Sequence, residues 1–356
     1  MKDIIVVGAG PVGSHLAKKM TEKGHEALVL ERSNEIGRPL ACSGHVSPNI
    51  RNFVSENEFD EILQNEIKEA VFHSGEKNYS FYSENVVSYV IDRVELDKKK
   101  ATQAEEAGAE IKLGETVEKV EEKNNRVVVE TDKKEYEASV VAGCDGASST
   151  VREEVGLEEP DHFYQGILCF TDEEDSSDNV DVVLDVPEFF GWRIPRGDSV
   201  EYGVGVPKGK DPMKWLDKVT EKFDIERSER RDVCAGAIPI NPPEKVSTER
   251  VFLVGDAAGQ TKPFTGGGIL YGMRCAEKAS EAVDPEKPDL KAYEEVWRKE
   301  LKHDILLGSF IEKMYSMPGI VQRLGMWIFQ GEIGVHMDRP TSLLSREQLK
   351  AMLPWR

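Results

Sequence analysis

Short apolar runs and amphipathic stretches follow one another along the chain in an informative order. Ile4–Val7 form an unbroken apolar run, the pattern of a strand buried on both faces. Apolar positions then recur with helical spacing from about Ser14 to Lys23, and Glu26-Ala-Leu-Val-Leu30 reads as a second strand. Tyr136–Ala142 and the run after Arg250 predict two more strands, each ending in an acidic turn. Residues 70–90, about 163–206 and 233–240 instead alternate polar with apolar positions and carry turn residues, which predicts antiparallel strands. The tail, 291–356, is helical in pattern: YEEVWRKELKHDILLGSFIEKMY, then Pro318, then GIVQRLGMWIFQ.

A chain of 356 residues predicts two domains. Hydrophobic residues make up 39% and the mean hydropathy is −0.46, which suits a globular protein with a core. No run of 18 apolar residues exists, so no membrane span is expected. The N-terminus reads as a strand rather than a signal peptide. The net charge of −20 argues against a nucleic-acid partner. Acidic runs such as Asp172-Glu173-Glu174-Asp175 are dispersed and read as solvated surface. Five cysteines, Cys42, Cys144, Cys169, Cys234 and Cys275, show no CxxC spacing. Neither a metal site nor a disulfide framework follows, and a reducing cytoplasm is the expected setting.

The chemistry is carried by three glycine-rich turns. Gly8-Ala9-Gly10-Pro11-Val12-Gly13 lies between the first strand and the first helix, and Glu31 and Arg32 close the second strand. Gly8 permits the tight turn, Gly10 admits a pyrophosphate to the backbone, and Gly13 lets helix and strand approach. The helix N-terminus offers N–H groups to phosphate, and Glu31 would accept bonds from a ribose. This turn predicts a dinucleotide without choosing FAD or NAD. The second turn, Gly143-Cys144-Asp145-Gly146, places the Asp145 carboxylate at the carboxyl edge of a sheet. The third runs from Gly255-Asp256 to Gly266-Gly267-Gly268-Ile269 at the start of a helix. A glycine costs a helix roughly 1 kcal/mol, so a triple-glycine start suggests close approach to a ligand.

GxGxxG, then DG, then GD in this order resembles the FAD-containing aromatic hydroxylase superfamily over about residues 1–290. The resemblance implies FAD as cofactor. Asp256 would meet ribityl hydroxyls, and the helix start at Gly268 would face the flavin edge that becomes negative on reduction. Further segments are similar to the geranylgeranyl reductase family, archaeal digeranylgeranylglycerophospholipid reductases included. These are Gly37-x-Pro39-x-x-Cys42 with Ser47, Asp92-Arg93 with Leu96 in place of Phe, Phe190-Gly-Trp192-Arg-Ile194-Pro195 followed by Gly203-Val-Gly205, and Gly268-Ile269. The family implies reduction of isolated C=C bonds in geranylgeranyl chains of membrane-lipid precursors, with hydride from reduced flavin.

Carried over by position, the cofactor contacts fall on Gly13, Glu31, Cys42, Ser43, His45, Arg93, Val117, Asp256, Gly268 and Ile269. Gly8, Gly10, Arg32 and Asp145 join them from the turns. Cys42 and His45 are the candidate catalytic residues: Cys42 as a neighbour that tunes the flavin, His45 as a titratable group able to release a proton near neutral pH. Phe190, Trp192 and Pro195 are expected to wall the substrate slot, with Gly203 and Gly205 leaving room for the chain.

The fold class expected is α/β: a Rossmann-like FAD-binding domain, an antiparallel β-sheet substrate domain and a helical C-terminal segment. The FAD-binding domain would comprise 1–70, 90–160 and 245–290, the substrate domain 71–89 and 161–244, and the helical segment 291–356. Met314, Met317, Met326, Trp327, Ile328 and Phe329 make the tail a candidate for peripheral contact with the inner face of the cell membrane. An external electron donor is required, and a nicotinamide, a ferredoxin or a deazaflavin would each serve. Three rival readings remain: a flavin monooxygenase with a compact polar pocket, a flavin halogenase (suggested by Ile194-Pro195), and a flavin or lipid carrier without turnover.

Overall fold

The computed structural model describes residues 1–40, 42–332 and 338. Its first layer is a seven-stranded sheet. In spatial order it contains Glu110–Lys112, Ala27–Leu30, Lys2–Val7, Glu135–Gly143, Arg126–Thr131 and Val117–Lys123. Ile4, Ile5 and Val6 are fully buried, as a parallel strand covered on both faces must be. The nine-residue strand Glu135–Gly143 has two kinds of neighbour on one side. Its first half pairs antiparallel with Arg126–Thr131, and its last three residues pair parallel with Val251–Leu253.

The first helix, Pro11–Glu22, starts on a proline at its first position, where the missing N–H has no intrahelical partner to lose. It packs on Ala27–Leu30 and on two further helices, Arg93–Glu106 and Ile269–Ala282. Asp92 caps Arg93–Glu106 through the Glu95 N–H, at 3.0 Å. The C-terminal helix Leu290–Glu312 is docked by buried Tyr293 and Trp297. The Tyr293 hydroxyl donates to the Leu253 carbonyl at 2.9 Å, tying this helix to the last strand of the sheet.

The second layer is an eight-stranded sheet. Its order is Arg231–Ile240, His162–Thr171, Val200–Pro207, Gly191–Pro195, Asn179–Val183, Glu69–Ser74, Lys77–Tyr82 and Gly331–Glu332. Most neighbours are antiparallel, but Asn179–Val183 runs parallel to Glu69–Ser74, and Gly331–Glu332 parallel to Lys77–Tyr82. One sequence expectation changes here. Ser88–Ile91 does not join this sheet; it lies between His45–Val46 and Leu63–Ile67 in a separate three-stranded sheet. That small sheet includes His45 and Val46, in the segment after Cys42. The helical reading of the tail holds for Leu290–Glu312 and Gly319–Phe329, while residues 333–337 and 339–356 lie outside the described residues.

Candidate active site

A cavity of about 1380 Å³ is lined by both layers. At one end stands the first glycine turn. Gly8 has φ +99°, and a Cβ there would meet the Cys144 carbonyl oxygen at 2.5 Å, so only glycine serves. Gly10 borders the cavity, and a Cβ there would enter open space. Gly13 does not border it: its missing Cβ lets the helix rest against the Gly8 carbonyl and the Cys144 side chain. Its part is to set the helix–strand distance.

Glu31 holds this end together. Its carboxylate accepts from the Ala9 N–H at 2.9 Å and the Ser33 N–H at 2.7 Å. Arg32 and Val117 line the cavity beside it. Asp145 lines it too, but its two oxygens accept from Ser149 Oγ at 2.6 Å and the Val151 N–H at 3.0 Å. The turn that brings Asp145 to the sheet edge also brings up a helix start, which takes both oxygens.

Deeper in, Asp256 sits against Gly268, where a Cβ would collide with Asp256 Oδ1. Burial raises the Asp256 carboxyl to about 6, with Arg93 opposing the shift. Thr265 Oγ1, in the loop between them, is buried without a hydrogen-bond partner among the described residues. A glycine cradle, a buried carboxylate and an unsatisfied hydroxyl facing one space fit a polyhydroxylated, phosphate-bearing cofactor. Ile269, the first residue of the following helix, lines the same space.

Arg93 forms a bidentate pair with Asp97, at 3.0 and 3.1 Å. Burial works against its charge, but Asp97 and then Cys42 beside it more than offset this and hold its pKa above the usual guanidinium value. Cys42 and Ser43 both border the cavity. His45 does as well, with Nε2 at 2.7 Å from Ser88 Oγ. Burial, then Lys262 and Arg196, lower the His45 pKa to about 3. The imidazole is therefore neutral at physiological pH, and the expectation that His45 releases a proton near neutrality is corrected.

The opposite wall is aromatic. Phe190 and Trp192 line it, with ring centroids 6.0 Å apart. Phe189 stacks on Phe190 at 4.3 Å, and Tyr315 meets Phe190 edge-on at 5.6 Å. Pro195, Gly203 and Gly205 do not line the cavity. The space over Gly203 is taken by the Trp192 indole and that over Gly205 by the Phe189 ring. The glycines thus make room for aromatic side chains rather than for substrate. Pro195 is buried behind the wall, its carbonyl accepting from Asn65 Nδ2 at 3.1 Å.

Two groups escape a reading by motif. Arg196 is buried and bonded to fully buried Glu201 at 2.9 Å. It also donates to the Ser43 carbonyl at 2.6 Å, Gln64 Oε1 at 2.6 Å and the Ile91 carbonyl at 3.2 Å. The Trp192 indole N–H donates to the same Glu201 at 2.8 Å. One ion pair thus fixes both the aromatic wall and the segment carrying Cys42 and His45. The second group is Lys262 with Asp338, both buried and 2.9 Å apart. A lysine between Thr261 and Pro263 in the Asp256–Gly268 stretch is its sequence signal.

Residues 5–155 match the family model described as pyridine nucleotide-disulphide oxidoreductase. The digeranylgeranylglycerophospholipid reductase of Methanocaldococcus jannaschii is 31% identical over 344 residues, covering 88% of this chain and 87% of its own. The chain belongs to that reductase family. It is a flavin-dependent oxidoreductase. A geranylgeranyl bacteriochlorophyll reductase-like protein from Thermoplasma acidophilum has the same fold, with a TM-score of 0.82 over 99% of both chains at 20% identity. So does a flavin-dependent halogenase, CmlS, with a TM-score of 0.71 over 98% of this chain and 76% of its own at 19% identity. At such identities the likeness shows the fold alone.

At the far end of this reductase's cavity the wall comes from the C-terminal helices. Phe310, Met317 and Phe329 line the cavity and are also 63%, 37% and 43% exposed. Among the described residues, no helix is long and apolar enough to cross a membrane.

Proposed function

We propose that the protein reduces isolated C=C bonds in the geranylgeranyl chains of membrane-lipid precursors, with FAD as its flavin. The observation that carries this reading is the continuity of one cavity, from the glycine turns past the aromatic wall to an exposed apolar rim. Its volume exceeds the several hundred Å³ typical of small-ligand sites, which suits a dinucleotide together with a long chain. A compact polar pocket, as a small-aromatic monooxygenase would use, is not its shape.

When bound and reduced, FAD would supply a hydride equivalent to one alkene carbon, with a proton drawn from water completing the other. The residues of the chain bind, orient and exclude water. The first glycine turn and Glu31 take the dinucleotide end, and Asp256 with Thr265 take the hydroxyl-rich linker. Phe190 and Trp192 hold the prenyl chain in an apolar slot, where an unactivated alkene depends on placement. Cys42, beside Arg93, sets the polarity of the flavin-side wall. His45 keeps its ring neutral and hydrogen-bonded to Ser88. An external reductant of the nicotinamide, ferredoxin or deazaflavin class restores the electrons.

The direct test is anaerobic. Flavin reduced on the enzyme is mixed with geranylgeranyl lipid, and the lipid is weighed by mass spectrometry. Gain of H2 at each double bond, together with flavin reoxidation, is the expected result. Reoxidation with unchanged lipid mass would refute the reading.

FAD affinity should also depend on pH through Asp256. A ligand that donates hydrogen bonds to this carboxylate binds its ionised form better. Affinity is then full above pH 6, near the raised pKa, and falls toward about tenfold per unit below it. Titration of FAD into apoprotein across this range checks it, and Asp256→Asn should flatten the profile.

We also propose that the rim docks on a lipid surface. Helix Gly319–Phe329 carries Arg323 as its single charged residue. Ile320, Leu324 and Trp327 are 71%, 56% and 64% exposed. Burying one large apolar side chain is worth about 1.5–3 kcal/mol, or tenfold and more in partition. Trp327→Glu should therefore release the protein from anionic phospholipid vesicles while leaving flavin content unchanged. Equal sedimentation of variant and parent with vesicles would refute docking through this helix.

A further inference from the structure

Lys262 is a buried lysine in the wall of the flavin cavity. Its Nζ lies 2.9 Å from Asp338 Oδ1, and both side chains are nearly inaccessible, at 3% and 1% exposure. The other Asp338 oxygen accepts from Ser47 Oγ and from Asn49 Nδ2 at 3.0 Å. The Tyr271 hydroxyl donates to the Asp338 carbonyl at 2.8 Å. Lys262, Ser47 and Asn49 thus hold the carboxylate and Tyr271 the backbone carbonyl of Asp338, while Lys262 remains part of the cavity wall.

The position of that ammonium matters. A Cβ on Gly267 would lie 3.2 Å from Lys262 Nζ, so the charge rests against the backbone that opens helix Ile269–Ala282. A helix start already carries partial positive charge. The Lys262 charge also helps to lower the His45 pKa. A lysine buried beside a helix N-terminus is costly to keep charged, and an apolar residue would fill the same space at lower cost. Where a ligand gains negative charge, the same placement becomes favourable.

We propose that Lys262 sets the charge balance of the flavin site. Its ammonium favours the reduced, anionic flavin over the oxidised one, and Asp338, delivered by the C-terminal segment, moderates that bias by pairing with the same ammonium. The proposal rests on the reading of this loop as a flavin site. Reduction adds two electrons and one proton to the neutral ring and leaves one negative charge on it; in the test below dithionite supplies the electrons and water the proton. A cation nearby raises the reduction potential, and a carboxylate on that cation lowers it.

The two partners therefore have opposite effects, which a purely structural ion pair would not show. The midpoint potential of the bound flavin is measured in the parent, Lys262→Met, Lys262→Arg and Asp338→Asn. Lys262→Met should disfavour the reduced flavin at least tenfold, a drop of about 30 mV for a two-electron couple, and weaken sulfite addition to the oxidised flavin by a similar factor. Asp338→Asn should shift both quantities the other way. Lys262→Arg should stay near the parent. Shifts of the same sign in the Met and Asn variants, or none beyond twofold, would overturn the proposal. Should Lys262→Met lose its flavin, the arginine and asparagine variants decide: an unchanged or lowered potential in Asp338→Asn overturns it. A parent protein that binds no flavin would instead overturn the reading of the site itself.

Discussion

Arg196→Ala should destabilise the protein by about 3–5 kcal/mol, the range for removing one partner of a buried ion pair. The variant leaves Glu201, fully buried, with the Trp192 N–H at 2.8 Å as its remaining partner. It also strips donors from the Ser43 and Ile91 carbonyls. Chemical denaturation measures the loss, and flavin content reports the site, since Ser43 adjoins Cys42. The deficit should shrink as pH falls. Burial already raises the Glu201 carboxyl, with Arg196 and Trp192 opposing; without Arg196 it rises further, and protonation below that value removes the buried charge. A double variant, Arg196→Met with Glu201→Leu, should recover much of the stability, because neither charge is then left alone. A loss below about 1 kcal/mol in Arg196→Ala, the scale of exposed pairs, would show that the pair holds nothing together.

Gly203→Ala should abolish most turnover while the flavin stays bound. Gly203 pairs across the sheet with Trp192, whose indole occupies the place of the missing Cβ. A methyl group there cannot be accommodated by bending a flexible side chain, because the neighbour is a flat ring bonded to Glu201. The indole must leave its site. Overpacking of this kind costs about 1–3 kcal/mol, and a wall displaced by about 1 Å can cost 100-fold in rate. Steady-state turnover with prenyl lipid and flavin content are the measurements. Adding Trp192→Ala should restore folding stability without restoring turnover. Wild-type rates in Gly203→Ala would mean that the indole does not shape the slot.

The flavin end was legible in the sequence because its chemistry is local. Gly8, Gly10, Asp256 and Gly268 lie in turns a few residues long, so spacing and the family resemblance together mark them as candidates. Val117 came from the family resemblance, and the cavity does include it. The substrate end was less legible, because cross-strand register decides it. Gly203 looked like room for a ligand; only its pairing with Trp192 shows what fills that room. Arg196 is not marked by any motif, because the sequence cannot show that Ser43, Gln64 and Ile91 converge on it. His45 was read from its ordinary titration, whereas burial beside two cations fixes its charge state. Asp338 lies 76 positions beyond Lys262, and nothing in either neighbourhood announces the pairing.

The divided strand Glu135–Gly143 has a consequence for synthesis. Its inner residues Val141, Ala142 and Gly143 take Val251–Leu253 as their parallel neighbour. While the chain emerges from the ribosome, those residues present an unpaired apolar edge until more than a hundred further residues have been translated. Late pairing of distant parallel strands is slow, and an open edge recruits other chains. The nascent N-terminal half is therefore the aggregation-prone stage of this protein. Strong overexpression should leave insoluble material enriched in chains stalled before residue 251, and slowed translation or a chaperone that covers strand edges should relieve it.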